Sequence, residues 1–329
     1  VTGRVAVIGA GSWGTTLAIH LSAAGAPVAL WDHDAGHLAA LNRDRENRKF
    51  LPGIRLPDGV KVEPQLTSAL VECEDWLFAV PSHGLREAAR RVRGVGMTAR
   101  AVCATKGLEL GSLKRMTEVL EEELADPAPV LLAGPSHAEE VSRGVPTSVV
   151  AASRSSERAA HVQRLFSTRR FRVYTNDDVV GCELGVALKN VIAIAAGVCD
   201  GLGYGDNTKG ALLTRGLAEM ARLGVALGGR RETFFGLCGM GDLITTAMSR
   251  HSRNRHVGEE LGRGKRLEEI LAGMVMVAEG VNTARAAREL GARAGVELPI
   301  TAQVFAMLFE GRSAQQALDE LMTRDLRSE

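Results

Sequence analysis

No run of about 18 uninterrupted apolar residues occurs in the 329-residue chain, so an ordinary membrane-spanning helix is not expected. Cysteine is sparse and scattered. The five present (Cys73, Cys103, Cys182, Cys199 and Cys238) form neither a Cys-x-x-Cys pair nor a Cys/His cluster with zinc spacing. That excludes a disulfide framework and a cysteine metal site, and fits a reducing cytoplasm. An excess of charge of either sign is missing too. The formal net charge is +1, which leaves no electrostatic footprint for nucleic acid or an anionic membrane. The opening residues read as a short strand, not as the charged start and apolar core of a signal peptide. Internal repeats and low-complexity tracts are absent. What is present, 45% hydrophobic and 24% charged residues, suits a globular intracellular enzyme, and the length suits two domains.

The first half alternates short apolar runs with helical patterns. Strands are predicted at 4–8, 28–31, 76–80, 101–104, 130–133, 147–151 and 171–174, with helices at 12–24, 83–93, 113–124 and 157–166 among the connections. Such alternation predicts an α/β, Rossmann-type, doubly wound parallel sheet with helices on both faces. After Tyr174 only helix-period patterns and glycine-rich breaks remain. A boundary near 175–185 therefore divides a nucleotide domain (1–178) from an all-helical C-terminal domain (179–329). The tail from Arg324 to Glu329 is polar and predicted to fray.

GAGSWG (9–14) follows the first strand and opens the first helix. Gly9, Gly11 and Gly14 permit a tight turn and close backbone approach, and the helix start with Ser12 and Trp13 offers N–H groups to a pyrophosphate. The second strand ends at Asp32, which would bond a ribose 2′-hydroxyl and repel a 2′-phosphate. NAD(H) is thus mildly favoured over NADP(H), although His33 offsets the repulsion. A solvated strand-end carboxylate is the plainer alternative for Asp32.

Lysine is scarce: seven of the 40 basic residues, at 49, 61, 106, 114, 189, 209 and 265. Lys189 lies within the apolar stretch GVALKNVIAIAAG (185–197). Burial and nearby positive charge make a lysine proton labile, so Lys189 is a candidate for proton transfer. The alternatives are snorkelling to the surface or pairing with a carboxylate. Lys106 stands at the end of a buried strand, where doubly wound sheets bind ligands; in water it would be a plain loop lysine. Ser136, at another strand end, could hold an anion or merely cap a helix. Asp242 follows three glycines in six residues and could be an ordinary cap. Arg253 offers a planar fork suited to phosphate, or is a solvated surface residue. Two lysines, a carboxylate, an arginine and amide donors together suit a small phosphorylated polyol beside a nicotinamide.

The segments GAGSWGTTLA (9–18), ATKGLE (104–109), AGPSHAEEV (133–141), ELGVALKNVIAIAAGVCDGLGYGDNTKGALLTRGL (183–217) and GMGDLITTAMSRHSRNRHVGEELGRG (239–264) resemble the bacterial-type NAD(P)-dependent sn-glycerol-3-phosphate dehydrogenase family. The resemblance implies reversible conversion of dihydroxyacetone phosphate to sn-glycerol 3-phosphate for glycerophospholipid synthesis, without a metal. It implies that Lys189 carries the proton, with Lys106 and Asp242 as further catalytic residues. Lys106, Gly134, Ser136, Lys189, Asn190, Asp242, Thr246, Ser252, Arg253 and Asn254 form the substrate site. Gly9, Gly11, Ser12, Trp13, Gly14, Asp32, His33, Lys106, Ala138, Arg253, Val277 and Glu279 form the cofactor site. Asp32 stands where related chains often carry a small residue.

Two other readings compete. A 3-hydroxyacid or ketopantoate-type reductase shares the build but acts on carboxylates. A dinucleotide-sensing binding protein would need the glycine loop but not Lys106, Lys189 and Asp242 together. An amphipathic pattern over 302–308 makes a homodimer the expected assembly.

Overall fold

The computed structural model describes residues 3–325. Of the tail read as fraying, residues 326–329 lie outside the described residues. The chain divides into two compact units, one of Val1–Lys106 and Lys114–Glu183, the other of Gly107–Leu113 and Leu184–Glu329.

The first unit is built on one eight-stranded sheet. Its strands are β1 (Arg4–Ile8), β2 (Val28–Trp31), β3 (Val60–Val62), β4 (Cys73–Phe78), β5 (Arg100–Cys103), β6 (Val130–Ala133), β7 (Thr147–Ala152) and β8 (Phe171–Asn176), in the order β3-β2-β1-β4-β5-β6-β7-β8. Strands β2 and β6 are buried at every residue and β1 at all but its first, as strands covered on both faces must be. The helices are α1 (Ser12–Ala23), α2 (Ala35–Asp44), α3 (Leu66–Leu70), α4 (Leu85–Gly94), α5 (Met116–Leu124), α6 (Ala138–Val141) and α7 (Ser156–Phe166). Helix α1 packs with α6 and α7, and α4 with α5.

The expected parallel sheet is present with one exception: β7 runs antiparallel to β6 while every other pairing is parallel. A parallel return needs a crossover long enough to span the sheet. The β6–β7 connection contains only the four-residue α6, about 6 Å of helix, so the chain re-enters the sheet at the end it left. Strand β3 escaped the sequence reading because Val60–Val62 is a three-residue edge strand with a central lysine. Strand β4 begins three residues before the expected 76, because Glu74 and Asp75 disguise its start. Asp75 is buried and paired with Arg100 (2.8 and 3.1 Å) and His161 (3.0 Å). Helix α5 begins at Met116 and not at 113, because Leu113 is left-handed (φ 61°) and the Glu118 carboxylate, accepting the Arg115 N–H at 2.8 Å, closes the helix start. All five cysteines are buried and none forms a disulfide; burial pushes the Cys73 thiol up to about 11.

Helix α8 (Val179–Gly201) begins in the first unit and continues into the second. The second unit adds α9 (Asp206–Ala226), α10 (Asp242–Met248), α11 (Arg253–Gly262), α12 (Leu267–Ala272), α13 (Glu279–Ala294), α14 (Pro299–Phe309) and α15 (Ala314–Met322). No strand occurs among its described residues. By length and composition α8 could cross a membrane, yet 94% of its most apolar window is buried inside the protein. Apart from Glu183, Lys189, Asn190 and Asp200 its side chains are almost all apolar, because the helix is enclosed on every side. A methyl group on Gly258 of α11 would lie 1.9 Å from the Ile194 carbonyl oxygen, and one on Gly197 would lie 2.0 Å from that of Arg255. The two helices therefore touch backbone to backbone. The amphipathic pattern over 302–308 lies in α14, which packs with α9, α13 and α15 of the same unit.

Candidate active site

In the first unit, Gly9 adopts φ +107°, and a side chain there would strike the Ala79 carbonyl at 2.7 Å. A methyl on Gly14 would lie 1.9 Å from the Gly9 oxygen, whereas one on Gly11 would meet nothing within 4 Å. The loop is thus packed from beneath and open at Gly11. The first turn of α1 carries no acidic residue and no side-chain cap. Its amides and positive dipole end suit a pyrophosphate, so the residues present fit a dinucleotide. Asp32 Oδ2 accepts the Ala10 N–H at 2.7 Å, which makes the acid a brace for this loop. The sequence reading missed two partners in the brace. His37 Nε2 lies 3.0 Å from the Ala10 oxygen, and the buried Asn47 amide donates to the same oxygen at 2.9 Å and to Thr15 Oγ1 at 2.7 Å. Asn47 lies in a wholly polar stretch, where no periodicity marks it.

At the ends of β5 and β6, Lys106 Nζ donates to the Gly134 oxygen at 2.8 Å and Ser136 Oγ donates to it at 3.1 Å. Gly134 has φ +140° and passes within 3.1 Å, by its absent Cβ, of the Val149 backbone. Ser136 is not the cap of α6; that position belongs to His137. Ala138 is buried and its carbonyl accepts from Thr16 of α1. Trp13 is half-buried and His33 is exposed.

In the second unit the lysine that stood out in sequence is 5% exposed. Lys189 Nζ donates to Asp242 Oδ1 at 3.1 Å and to Thr246 Oγ1 at 2.6 Å, and Thr246 donates to Asp242 at 3.2 Å. Asp242 is the first residue of α10 but also the buried counter-ion of Lys189, so the plain capping alternative fails. The approach depends on Gly185, one turn before Lys189. A methyl there would sit 2.6 Å from the Cys238 oxygen, in the wide π-type turn Leu237–Gly241 that leads into Asp242. Gly185→Ala is accordingly expected to displace Asp242 from Lys189. Overpacking of this kind costs about 1–3 kcal/mol, so a lowered unfolding midpoint together with a lowered kcat is the expected result. An unchanged kcat would show that the backbone approach does not set the lysine–carboxylate geometry.

Asn190, beside the lysine, accepts from Asn254 Nδ2 at 2.9 Å through its Oδ1, and Asn254 Oδ1 accepts the Gly280 N–H at 2.8 Å. Asn254 therefore ties α8 to the start of α13, a positioning task that the sequence reading, which put it against substrate, had not assigned. Ser252 caps α11, its hydroxyl accepting the Arg255 N–H at 3.1 Å. Arg253 Nη1 donates to the Val277 oxygen at 2.7 Å, and Glu279 opens α13 two residues later. The first turn of α11 carries arginines and no acid, an arrangement that suits an anion.

Six residues before Lys189, Glu183 accepts from the Thr117 N–H (2.8 Å), the Thr117 hydroxyl (2.6 Å) and Arg115. Burial pushes its carboxyl above the usual range although Arg115 and Thr117 pull the other way. No group of three or more His, Cys, Asp or Glu side chains able to hold a metal occurs among the described residues.

The family model described as NAD-dependent glycerol-3-phosphate dehydrogenase N-terminus matches residues 4–159, and the C-terminus model matches residues 178–319. A glycerol-3-phosphate dehydrogenase (NAD(P)+) of Chlorobium limicola is 51% identical over 330 residues, covering 99% of each chain. The crystal structure of glycerol-3-phosphate dehydrogenase from Coxiella burnetii superposes with a TM-score of 0.94 at 37% identity, covering 98% of this chain and 99% of that one. The structure of the Saccharomyces cerevisiae glycerol-3-phosphate dehydrogenase is similar with a TM-score of 0.81 at 27% identity, over 98% and 99% of the two chains.

Proposed function

The chain belongs to the NAD-dependent glycerol-3-phosphate dehydrogenase family, and from that premise we propose how its residues divide the work. The protein is an NAD(P)-dependent oxidoreductase that interconverts dihydroxyacetone phosphate and sn-glycerol 3-phosphate. The observation that carries the assignment of roles is the buried set of Lys189, Asp242 and Thr246.

Lys189 Nζ gives a proton to the C2 oxygen of dihydroxyacetone phosphate during reduction and takes it back during oxidation. Asp242 and Thr246 hold that nitrogen in place, and Asn190 and Asn254 fix the helix around it. Arg253 with the first-turn amides of α11, beside Ser252, takes the phosphate. Lys106, held on Gly134 with Ser136, contacts substrate and cofactor from the first unit. Gly9, Gly11, Ser12, Trp13, Gly14, Asp32, His33 and Ala138 hold the dinucleotide, with Arg253, Val277 and Glu279 as its contacts in the second unit. When bound there, a nicotinamide would serve as the hydride donor for reduction and the hydride acceptor for oxidation. Asp32 tips the balance toward NAD. No metal takes part in this scheme.

Cytoplasmic supply of glycerol phosphate to phospholipid synthesis is the role that follows. A homodimer is the proposed assembly. With α14 occupied inside its own unit, the exposed Met240, Ile244 and Met248, spaced four apart beside exposed Phe235, support that reading.

Loss of nicotinamide absorbance on mixing the protein with NADH or NADPH and dihydroxyacetone phosphate tests the function. Oxidation with the phosphate ester and none with 2- or 3-oxo acids is the expected result. The reverse pattern would transfer the chain to the carboxylate-reducing enzymes of similar build.

A further inference from the structure

Asp32 at the end of β2 is more heavily engaged than its place in the sequence implies. Besides the Ala10 N–H on Oδ2, its Oδ1 accepts the Asp34 N–H at 3.0 Å and lies 3.0 Å from His33 Nδ1. Much of its charge therefore answers the loop and not an incoming ligand.

The segment after α2 closes on the same place. Asn47, which holds the Ala10 oxygen, also accepts the Phe50 N–H at 3.1 Å and so pins residues 47–50 beside the glycine loop. The Phe50 ring meets His37 edge-on, with centroids 5.1 Å apart, and the Lys49 ammonium lies 4.9 Å from the Phe50 centroid. Lys49 is exposed. Its charge is felt at Asp34, two residues past Asp32. The His37 N–H chiefly holds the Asp34 carboxyl below its ordinary value, and the charges of Lys49 and His37 add to this. The adjacent Arg48 is directed elsewhere, to Asp44 (3.6 Å) and Glu46 (3.7 Å).

A 2′-phosphate brings about −1.5 to −2 charges at neutral pH, and a lysine ammonium can bind it as a point charge. Lys49, pre-positioned on an aromatic ring beside the strand end that holds the adenosine ribose, is placed to do so. We propose that Lys49 is the residue that binds the 2′-phosphate of NADP(H), so that this chain takes both dinucleotides despite Asp32. The inference rests on the reading of the glycine loop as the dinucleotide site.

Calorimetric titration of the full chain with 2′,5′-ADP and with 5′-AMP, without any turnover, tests it. Lys49→Met should weaken 2′,5′-ADP by about tenfold and leave 5′-AMP within about twofold, the loss of one charge-assisted phosphate contact. Arg48→Met, which removes the same charge next door, should leave both nucleotides within about twofold, since an exposed charge not in contact is largely screened. Undiminished 2′,5′-ADP binding in Lys49→Met would overturn the proposal. So would equal losses in the two variants, which would replace a contact with a diffuse field. Binding of neither nucleotide by the unaltered chain would instead remove the dinucleotide site itself.

Discussion

Lys189→Ala is expected to lower kcat by about 10²–10⁴-fold, the usual worth of a positioned general acid–base, while nucleotide affinity stays unchanged. The second half of that expectation follows from the proposed roles, since Lys189 is not among the residues assigned to the dinucleotide. Single-turnover reduction of dihydroxyacetone phosphate measures the chemical step, and fluorescence titration with NADH measures binding. Removing the ammonium also leaves Asp242, 2% exposed, without its counter-ion. Removing one partner of a buried ion pair costs about 3–5 kcal/mol, so the single variant should also unfold earlier. The double variant Lys189→Met/Asp242→Asn restores neutrality and separates the two effects. It should regain stability without regaining turnover. Near-normal kcat in either variant would take the proton-transfer role from Lys189.

Arg253→Ala is expected to raise the KM for dihydroxyacetone phosphate by about 10- to 100-fold, since a hydrogen bond to a charged group is worth about 1.5–3 kcal/mol. The effect on kcat should be smaller, because the phosphate is remote from the reacting carbon. Unphosphorylated dihydroxyacetone supplies the control: its poor KM should not worsen in the variant. Equal losses for both substrates would mean that Arg253 acts on the dinucleotide or through its bond to the Val277 carbonyl, and not on the phosphate.

Much of this was legible in the residues, for identifiable reasons. The central strands could be placed because continuous burial leaves continuous apolar runs, and β1, β2 and β6 fall where they were expected. The reversal at β7 was not legible. Strand direction depends on how far a connection travels, and the four residues of α6 look in sequence like the start of an ordinary crossover helix. Lys189 announced itself because a charge among apolar residues is costly and therefore conspicuous. Its alternative reading, a pairing with a carboxylate, also holds, since Asp242 is that carboxylate; the two readings were not exclusive. Asn47 and His37 were invisible for the opposite reason. Asn47 is a polar residue in a polar stretch and His37 a single polar residue among Ala35, Gly36 and Leu38, so neither forms a pattern, and only the fold brings them to the Ala10 carbonyl. Gly185 belonged to a quoted motif, but its task, admitting the Cys238 carbonyl, depends on a turn some fifty residues later.

The helix that carries Lys189 has a consequence for how this chain can be cut and recombined. Domains usually part at exposed, flexible linkers. Here the division between Glu183 and Leu184 falls inside α8, between a carboxylate anchored on Thr117 and Arg115 and the lysine less than two turns later. The division therefore does not fall at a linker. A fragment ending at Glu183 would keep the anchor on a helical stub, and one starting at Leu184 would carry the lysine on a helix stripped of its first turn. Chimeras between relatives should therefore exchange α8 whole, with the junction upstream of Val179, so that anchor and lysine are inherited as one piece.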